Sequence, residues 1–331
     1  MHDLPNKIAI LYSDAKREYF PTEQQFISEI EGKQRSDEIG KILETMGVDV
    51  KLLPGNSSLS EALKAYSPDL VINLVDSVYG KEYLSASTSA ILELLNIQYT
   101  GTGMLGQAIN SNKFLTKNLL EQYGITTPKY QLISEENEPI DHVLDYPLMV
   151  KLNEVHGSVA IDEDSVCLDE KSLRKKIQGL IRTYKQPLLL EEFIVGREIT
   201  VIVFEGVHTK VYAAEKIFKK SEDSKYKIVT FDDNWNDDFD TITYVKYELP
   251  INIKDNIKEA FQVLKMEDYA KFDIRLDESG RHHIIDCNTN PTLGQKDHAA
   301  IGSITHLYGI SFNELLIRLI TANYKKDFYD K

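Results

Sequence analysis

Residues 282–294 read HHIIDCNTNPTLG, an apolar strand signal carrying Asp286 and Asn288 two residues apart and then turning at once into Asn-Thr-Asn-Pro. Side chains alternate along a strand, so Ile284, Asp286 and Asn288 are expected on one face, with Ile285 and Cys287 on the other. An ionised carboxylate among isoleucines is costly unless something pairs with it, and hard cations take such oxygen ligands. Asp, Asn, Thr and Pro are also ordinary turn formers at a strand end. This stretch alone accommodates both readings.

The strand before it favours the first. KFDIRLDESGRHHIIDCN (271–288) reads as a hairpin with its turn near Glu278 to Gly280, and a tight turn there sets Asp273 opposite residue 285 or its neighbour. Asp273 then stands within one register step of Asp286, with Lys271 and Arg275 on its own face. Two carboxylates and the Asn288 amide oxygen make a magnesium site of the kind completed by substrate phosphates. A solvated hairpin face suits Asp277 and Glu278 but not Asp286.

Other segments add candidates for an anionic ligand. Lys151 ends the apolar strand YPLMVK and is followed by LNEVHGSVAI, where backbone amides around Gly157 and Ser158 can wrap an anion. The loop matches no Walker pattern and no G-x-G-x-x-G. In a helix over about 112–123, Leu115, Leu119 and Tyr123 share one face and Lys113 and Lys117 another. LLLEEFIVGREITV (188–201) is a strand ending at Glu191–Glu192–Phe193–Ile194, a turn near Gly196, and a second strand that projects Glu198. A hairpin with exposed acids fits this segment too.

Around these pieces the chain divides by pattern. The first hundred residues alternate short apolar runs (KIAILY, VDVKLL, DLVINLV, IQYT) with helical stretches, which predicts a parallel sheet with crossovers. Ligands sit at the carboxyl ends of such strands, here the loops after Tyr12 and after Val75, the latter reading DSVYGKEY. From residue 126 short strands dominate, an α+β character with antiparallel sheet. The expected domains are 1–108, 109–190 and 191–331.

With 38 Lys and Arg against 52 Asp and Glu, the net charge of −14 argues against a nucleic-acid partner. Cys167 and Cys287 form no CxxC pair, so neither a disulfide framework nor a zinc site is expected, and a reducing, cytoplasmic setting is. The apolar run near the start is too short for a signal peptide, and no run approaches a membrane span.

Taken in order, YTGTG (99–103) with NKFLTK (112–117), PLMVKLNEVHGSVAI (147–161), LLEEFIVGREITV and FDIRLDESGRHHIIDCNTNPTLG (272–294) resemble the ATP-grasp superfamily, specifically its D-alanine–D-alanine ligase-like group. The resemblance runs from about residue 71 to 320. It implies an α/β plus α+β architecture: a Rossmann-like N-terminal domain ahead of two α+β subdomains that sandwich ATP. By the same resemblance, Lys113 and Lys151 would hold ATP phosphates with Gly157 and Ser158. Backbone groups at Glu192, Phe193 and Ile194 would take adenine, Glu191 would line that pocket, and Glu198 would bind the ribose. Asp273, Asp286 and Asn288 would carry two Mg2+ ions, with Mn2+ as a substitute, and Lys271 and Ser158 would act in catalysis. The implied reaction is ADP-forming ligation of a small-molecule carboxylate to an amine; a homodimer is a family expectation.

The sequence departs from the ligase pattern where specificity lives. Lys271 stands where an arginine is expected, Thr292 where a glycine is, Asp297 where a serine is, and the phosphate loop reads Gly157–Ser158 instead of two serines. Lys225 and Lys227 are the nearest candidates for the lid lysine, and FDDNWNDDFD (231–240) reads as a solvated loop or an acidic wall. A D-alanine–D-alanine ligase proper and a nucleotide-binding scaffold without catalysis are the alternatives.

Overall fold

The computed structural model describes residues 4–206, 208–219, 226–235, 241–296 and 299–324. Three sheets organise them. The first is parallel, built from β1 (Lys7–Ser13), β2 (Asp49–Gly55), β3 (Leu70–Leu74) and β4 (Tyr99–Thr100) in the order β2-β1-β3-β4. Its crossovers carry α1 (Glu23–Thr45), α2 (Leu59–Tyr66) and α3 (Ala86–Leu94), followed by α4 (Met104–Asn110) and α5 (Lys113–Gln122). Every residue of β3 is buried, as a strand covered on both faces requires. The Thr22 hydroxyl accepts from the Gln25 N–H and so caps α1.

The second sheet is antiparallel, from β5 (Tyr130–Ile133), β6 (Leu148–Leu152), β7 (Val166–Cys167) and β8 (Leu188–Glu192) in the order β5-β8-β6-β7. It is backed by α6 (Glu170–Tyr184), which starts in a capping box at Asp169 and buries Leu173, Ile177 and Leu180. The third sheet is antiparallel too: β9 (Arg197–Phe204), β10 (Lys210–Phe218), β11 (Ile242–Lys246), β12 (Tyr269–Leu276) and β13 (His282–Asn288), ordered β11-β10-β9-β12-β13. The helices of this last part are α7 (Phe231–Trp235), α8 (Ile251–Val263), α9 (Ala300–Leu307) and α10 (Phe312–Tyr324). Among the described residues no helix is long and apolar enough to cross a membrane.

The packing corrects two local expectations, the alternation along β13 and the solvated acidic segment, and settles which face of α5 turns inward. A bulge between Asp273 and Ile274 pairs Asp273 with Asp286 and Ile274 with Ile284, leaving Ile285 as the extra residue. The bulge resets the alternation: Ile284 shares the core with Cys287, Phe272 and Ile274, while Asp286 and Asn288 face the cleft. In α5 the inward face is the lysine face. Lys113, Thr116, Lys117 and Leu120 are buried there, whereas Leu115 and Tyr123 are more than half exposed. The acidic segment is not wholly solvated: Phe231 is buried and stacked on Trp235, while residues 236–240 lie outside the described residues.

Helices from one part of the chain close the cores of another. Leu120 of α5 belongs to the core of the C-terminal sheet. Leu315, Leu316, Leu319 and Ile320 of α10 pack with Ile8, Ile10, Leu70 and Ile72 of the N-terminal sheet.

Candidate active site

The sheets enclose a cleft of about 1030 Å³, lined by residues of all three. The β12–β13 hairpin forms its floor. Asp273 is paired across the ladder with Asp286, and Lys271 with Asn288. Asp273 accepts from Thr200 Oγ1 at 2.7 Å, from Lys271 Nζ at 2.6 Å and from Lys216 Nζ at 3.5 Å. Burial alone would raise its carboxyl, but Lys216, Lys271 and the Thr200 hydroxyl outweigh it and hold the group below the usual carboxylate range. Asp286 is also held down against burial, by Lys113, His156, Lys151 and Lys271. Among the described residues no side chain or amide donates to its carboxylate.

Lysines form the wall above Asp286. Lys113, from the first turn of α5, donates to the Val155 carbonyl at 2.9 Å. Lys151, on β6, contacts Glu191 and lies 3.4 Å from the Ile285 carbonyl. Glu191 is thus clasped between Lys151 and Lys117, the latter at 2.9 Å. Burial raises the Glu191 carboxyl, and the two ammonium groups more than reverse that.

The phosphate-loop candidate follows β6. Gly157, Ser158 and Ala160 all take positive φ, 70°, 55° and 63°, an uncommon cluster of the backbone conformation from which anion nests are built. A one-turn helix holds the loop: Trp235 Nε1 donates to the Gly157 carbonyl at 2.7 Å and Asn234 Nδ2 to Ser158 Oγ at 2.9 Å.

At the far end lies the 191–198 segment. The Glu192 side chain turns to Lys129 at 3.0 Å rather than into the cleft. The Glu192 N–H donates to the Lys129 carbonyl and the Phe193 N–H to the Pro147 carbonyl, both at 2.9 Å. The Ile194 N–H donates to nothing among the described residues. Glu198 is gripped by Lys216 at 2.6 Å and Arg275 at 2.7 Å. Arg275 also donates to the Ile194 carbonyl at 3.0 Å, contacts the Lys227 carbonyl, and stacks 4.4 Å from the Phe193 ring centroid.

Lys113, Lys151, the Gly157–Ser158 loop, the 191–194 strand end, Glu198, Lys271, Asp273, Asp286 and Asn288 all line this cleft, whereas Lys227 does not. Sequence reasoning missed Lys117 and Lys216 as participants, and the cleft residues Glu29, Arg35, Gln107 and Asn290. Lys216 has a weak signal in VYAAEKIF, a charged pair with Glu215 on a mostly apolar strand, and Asn290 lies in the Asn-Thr-Asn-Pro turn; the others are polar residues on helices with no local mark. Thr292 is exposed at the cleft, whereas Lys225 and Asp297 lie outside the described residues.

Two antiparallel sheets clasping a lysine- and carboxylate-lined cleft behind a parallel sheet define the ATP-grasp class. The D-alanine–D-alanine ligase from Bacillus anthracis, solved in complex with ATP, superposes with a TM-score of 0.73 over 98% of this chain and 99% of that one, at 19% identity. The model of the family described as "D-ala D-ala ligase C-terminus" matches residues 119–321. The chain belongs to this family, and is an ATP-dependent ligase that forms a carbon–nitrogen bond. Similar proteins include an uncharacterized protein, y4sG, of Sinorhizobium fredii, 24% identical over 88% of each chain. Others are D-alanine–D-alanine ligases of Cupriavidus metallidurans, 28% identical over 85% of this chain and 83% of that one, and Bordetella pertussis, 26% over 95% and 94%.

Proposed function

We propose that the protein joins a small-molecule carboxylate to an amine through an acyl phosphate, releasing ADP and phosphate, with magnesium as its metal. The observation that carries this is the direct pairing of Asp273 with Asp286, beside Asn288 and beneath Lys113 and Lys151. Such a set pairs hard oxygen donors with cations suited to a polyphosphate.

The residues fit a divalent ion. Asp286 is enclosed by cations yet accepts no hydrogen bond among the described residues, and every donor in the trio is oxygen. Asp273, Asp286 and Asn288 would hold the ions, two by the family resemblance, and bound magnesium neutralises charge on the phosphates. Lys271 already holds Asp273, so an ion there competes with it. Lys113, Lys151 and the Gly157–Ser158 amides would position the phosphates. The Ile194 N–H would read the adenine and Glu198 the ribose, while Phe193 and Met149 supply apolar walls.

The chemistry balances in two steps. A carboxylate oxygen takes the γ-phosphoryl group of ATP and ADP leaves. The amine nitrogen then attacks the acyl carbon, phosphate departs with the C–O bonding pair, and the nitrogen releases its proton to solvent. Lys271, at the floor of the cleft, supplies positive charge to the oxyanion formed in between.

The named relatives favour D-alanine as both substrates. The residues in the specificity positions do not: Lys271 is a point charge where a guanidinium fork would grip a carboxylate, and Thr292 adds bulk at the acceptor corner. We therefore expect D-alanine alone to release little phosphate. Amino acids and simple amines, screened in pairs for ADP release with Mg-ATP, test both points. Absence of ADP with every pair counts against the ligase reading; brisk D-alanyl-D-alanine synthesis counts against the substrate reading.

A further inference from the structure

Asp273 and Asp286 face each other across the β12–β13 ladder, but they are held differently. Asp273 Oδ1 accepts from Thr200 Oγ1 at 2.7 Å and from Lys216 Nζ at 3.5 Å, and Oδ2 from Lys271 Nζ at 2.6 Å. Both oxygens are thus engaged, and two of the three donors are ammonium groups. A divalent ion such as magnesium binds carboxylate oxygens at about 2.1 Å. At that range it must displace the lysine hydrogens, and it repels the charge behind them.

Lys216 is the donor placed to leave. Its contact with Asp273 is the longest of the three, and Glu198 Oε1 holds its Nζ at 2.6 Å. Glu198 does not depend on it: Oε2 accepts from Arg275 Nη2 at 2.7 Å, and the two residues pair in the β9–β12 ladder. Each acid therefore keeps a cation of its own, Lys271 for Asp273 and Arg275 for Glu198, with Lys216 the surplus charge between them. Arg275 is fixed further by the Ile194 carbonyl at 3.0 Å and by the Phe193 ring. A lysine is instead a point charge on a flexible four-carbon stem. Lys216 is 8% exposed and lines the cleft. Burial would lower its ammonium, but Asp273 and Glu198 more than reverse that and keep it charged. A polyphosphate entering the cleft offers this charge a new partner as its ion claims Asp273.

We propose that Lys216 is an exchangeable cation: it neutralises Asp273 until a metal–nucleotide complex enters, then moves to the polyphosphate. Metal and nucleotide then bind together, and metal alone binds weakly. The inference rests on the nucleotide and metal reading of the cleft. Titrating Mn2+ into the full chain with and without saturating ADP, the free ion read by electron paramagnetic resonance, tests it. Lys216→Met should bind Mn2+ alone at least fivefold tighter than the wild type. The tightening of Mn2+ by ADP, which equals that of ADP by Mn2+, should shrink at least threefold. Lys219→Met, which removes another ammonium lining the cleft, should leave both quantities within twofold. Should Lys216→Met fail to fold, Lys216→Met with Glu198→Gln removes the acid left behind, and Mn2+ alone is read against the same fivefold threshold. Metal affinity unmoved or weakened by loss of Lys216, an unchanged effect of ADP, or an equal gain on loss of Lys219 overturns the proposal. A wild-type chain that binds no ADP even with Mn2+ would sink the nucleotide reading, and this inference with it.

Discussion

Asp286 gains its significance from a one-residue irregularity. The bulge after Asp273 turns it from the partner of Phe272 into the direct neighbour of a second carboxylate, under Lys113 and Lys151. Asp286→Asn should keep the fold and cut turnover by roughly 100-fold or more, the scale of losing one transition-state charge contact. Unchanged turnover and magnesium dependence would remove Asp286 from the metal set. Lys151→Ala should weaken thermal stabilisation by Mg-ATP, since a phosphate contact goes while the base pocket stays; an undiminished shift would make Lys151 merely the partner of Glu191. Glu29 carries a pH signature. Its carboxyl, ordinarily near 4.5, is raised to about 8 in the fold by burial and by Asp76 and Glu82, with His156 next to Glu82. The native state therefore binds more protons than the unfolded chain between about pH 5 and 8, and stability falls as pH rises through that window. Glu29→Gln should flatten the fall and stabilise the ligand-free protein at pH 8 by on the order of 1 kcal/mol, read from melting temperatures across pH.

At the scale of elements, the end of β13 is held by a close approach. A Cβ on Gly302 of α9 would stand 2.1 Å from the Gly294 carbonyl oxygen and 2.6 Å from the Gln295 carbonyl carbon. Both neighbours are backbone just beyond Asn-Thr-Asn-Pro, so neither can swing aside. Gly302→Ala should cost about 1–3 kcal/mol in stability and raise the acceptor KM more than that for ATP, because the displaced segment adjoins Thr292. A KM effect confined to ATP would show that this segment does not shape the acceptor corner.

Across the whole molecule, the parts are joined through shared cores rather than hinged as beads. Leu316 of α10 is 1% exposed and packs in a cluster that includes Ile8, Ile72 and Tyr269. Leu316→Ala should destabilise by about 2–5 kcal/mol and lower the melting of the N-terminal sheet and the C-terminal part together. Two separated transitions, with only one moved, would show that the parts melt as independent units.

The amino-acid sequence by itself determined the strand–helix alternation of the first hundred residues and the hairpin at 271–288 that brings Asp273 near Asp286, because each carries a local signature, a period or a turn residue; that Lys113, Lys151, Glu191 and Glu198 join them followed only from the resemblance of four segments taken in order. It did not determine which face of α5 turns inward. Leucine spacing favours Leu115, Leu119 and Tyr123, but a cleft full of carboxylates draws Lys113 and Lys117 inward with Leu120. Nor did local pattern foretell the bulge, which arises from pairing with β12, or the placing of α10 on a sheet laid down more than two hundred residues earlier in the chain. Glu29 and Gln107 are ordinary polar residues in their own segments. Only the docking of α1 and α4 around one cleft strips them of water, and desolvation is what raises the Glu29 carboxyl.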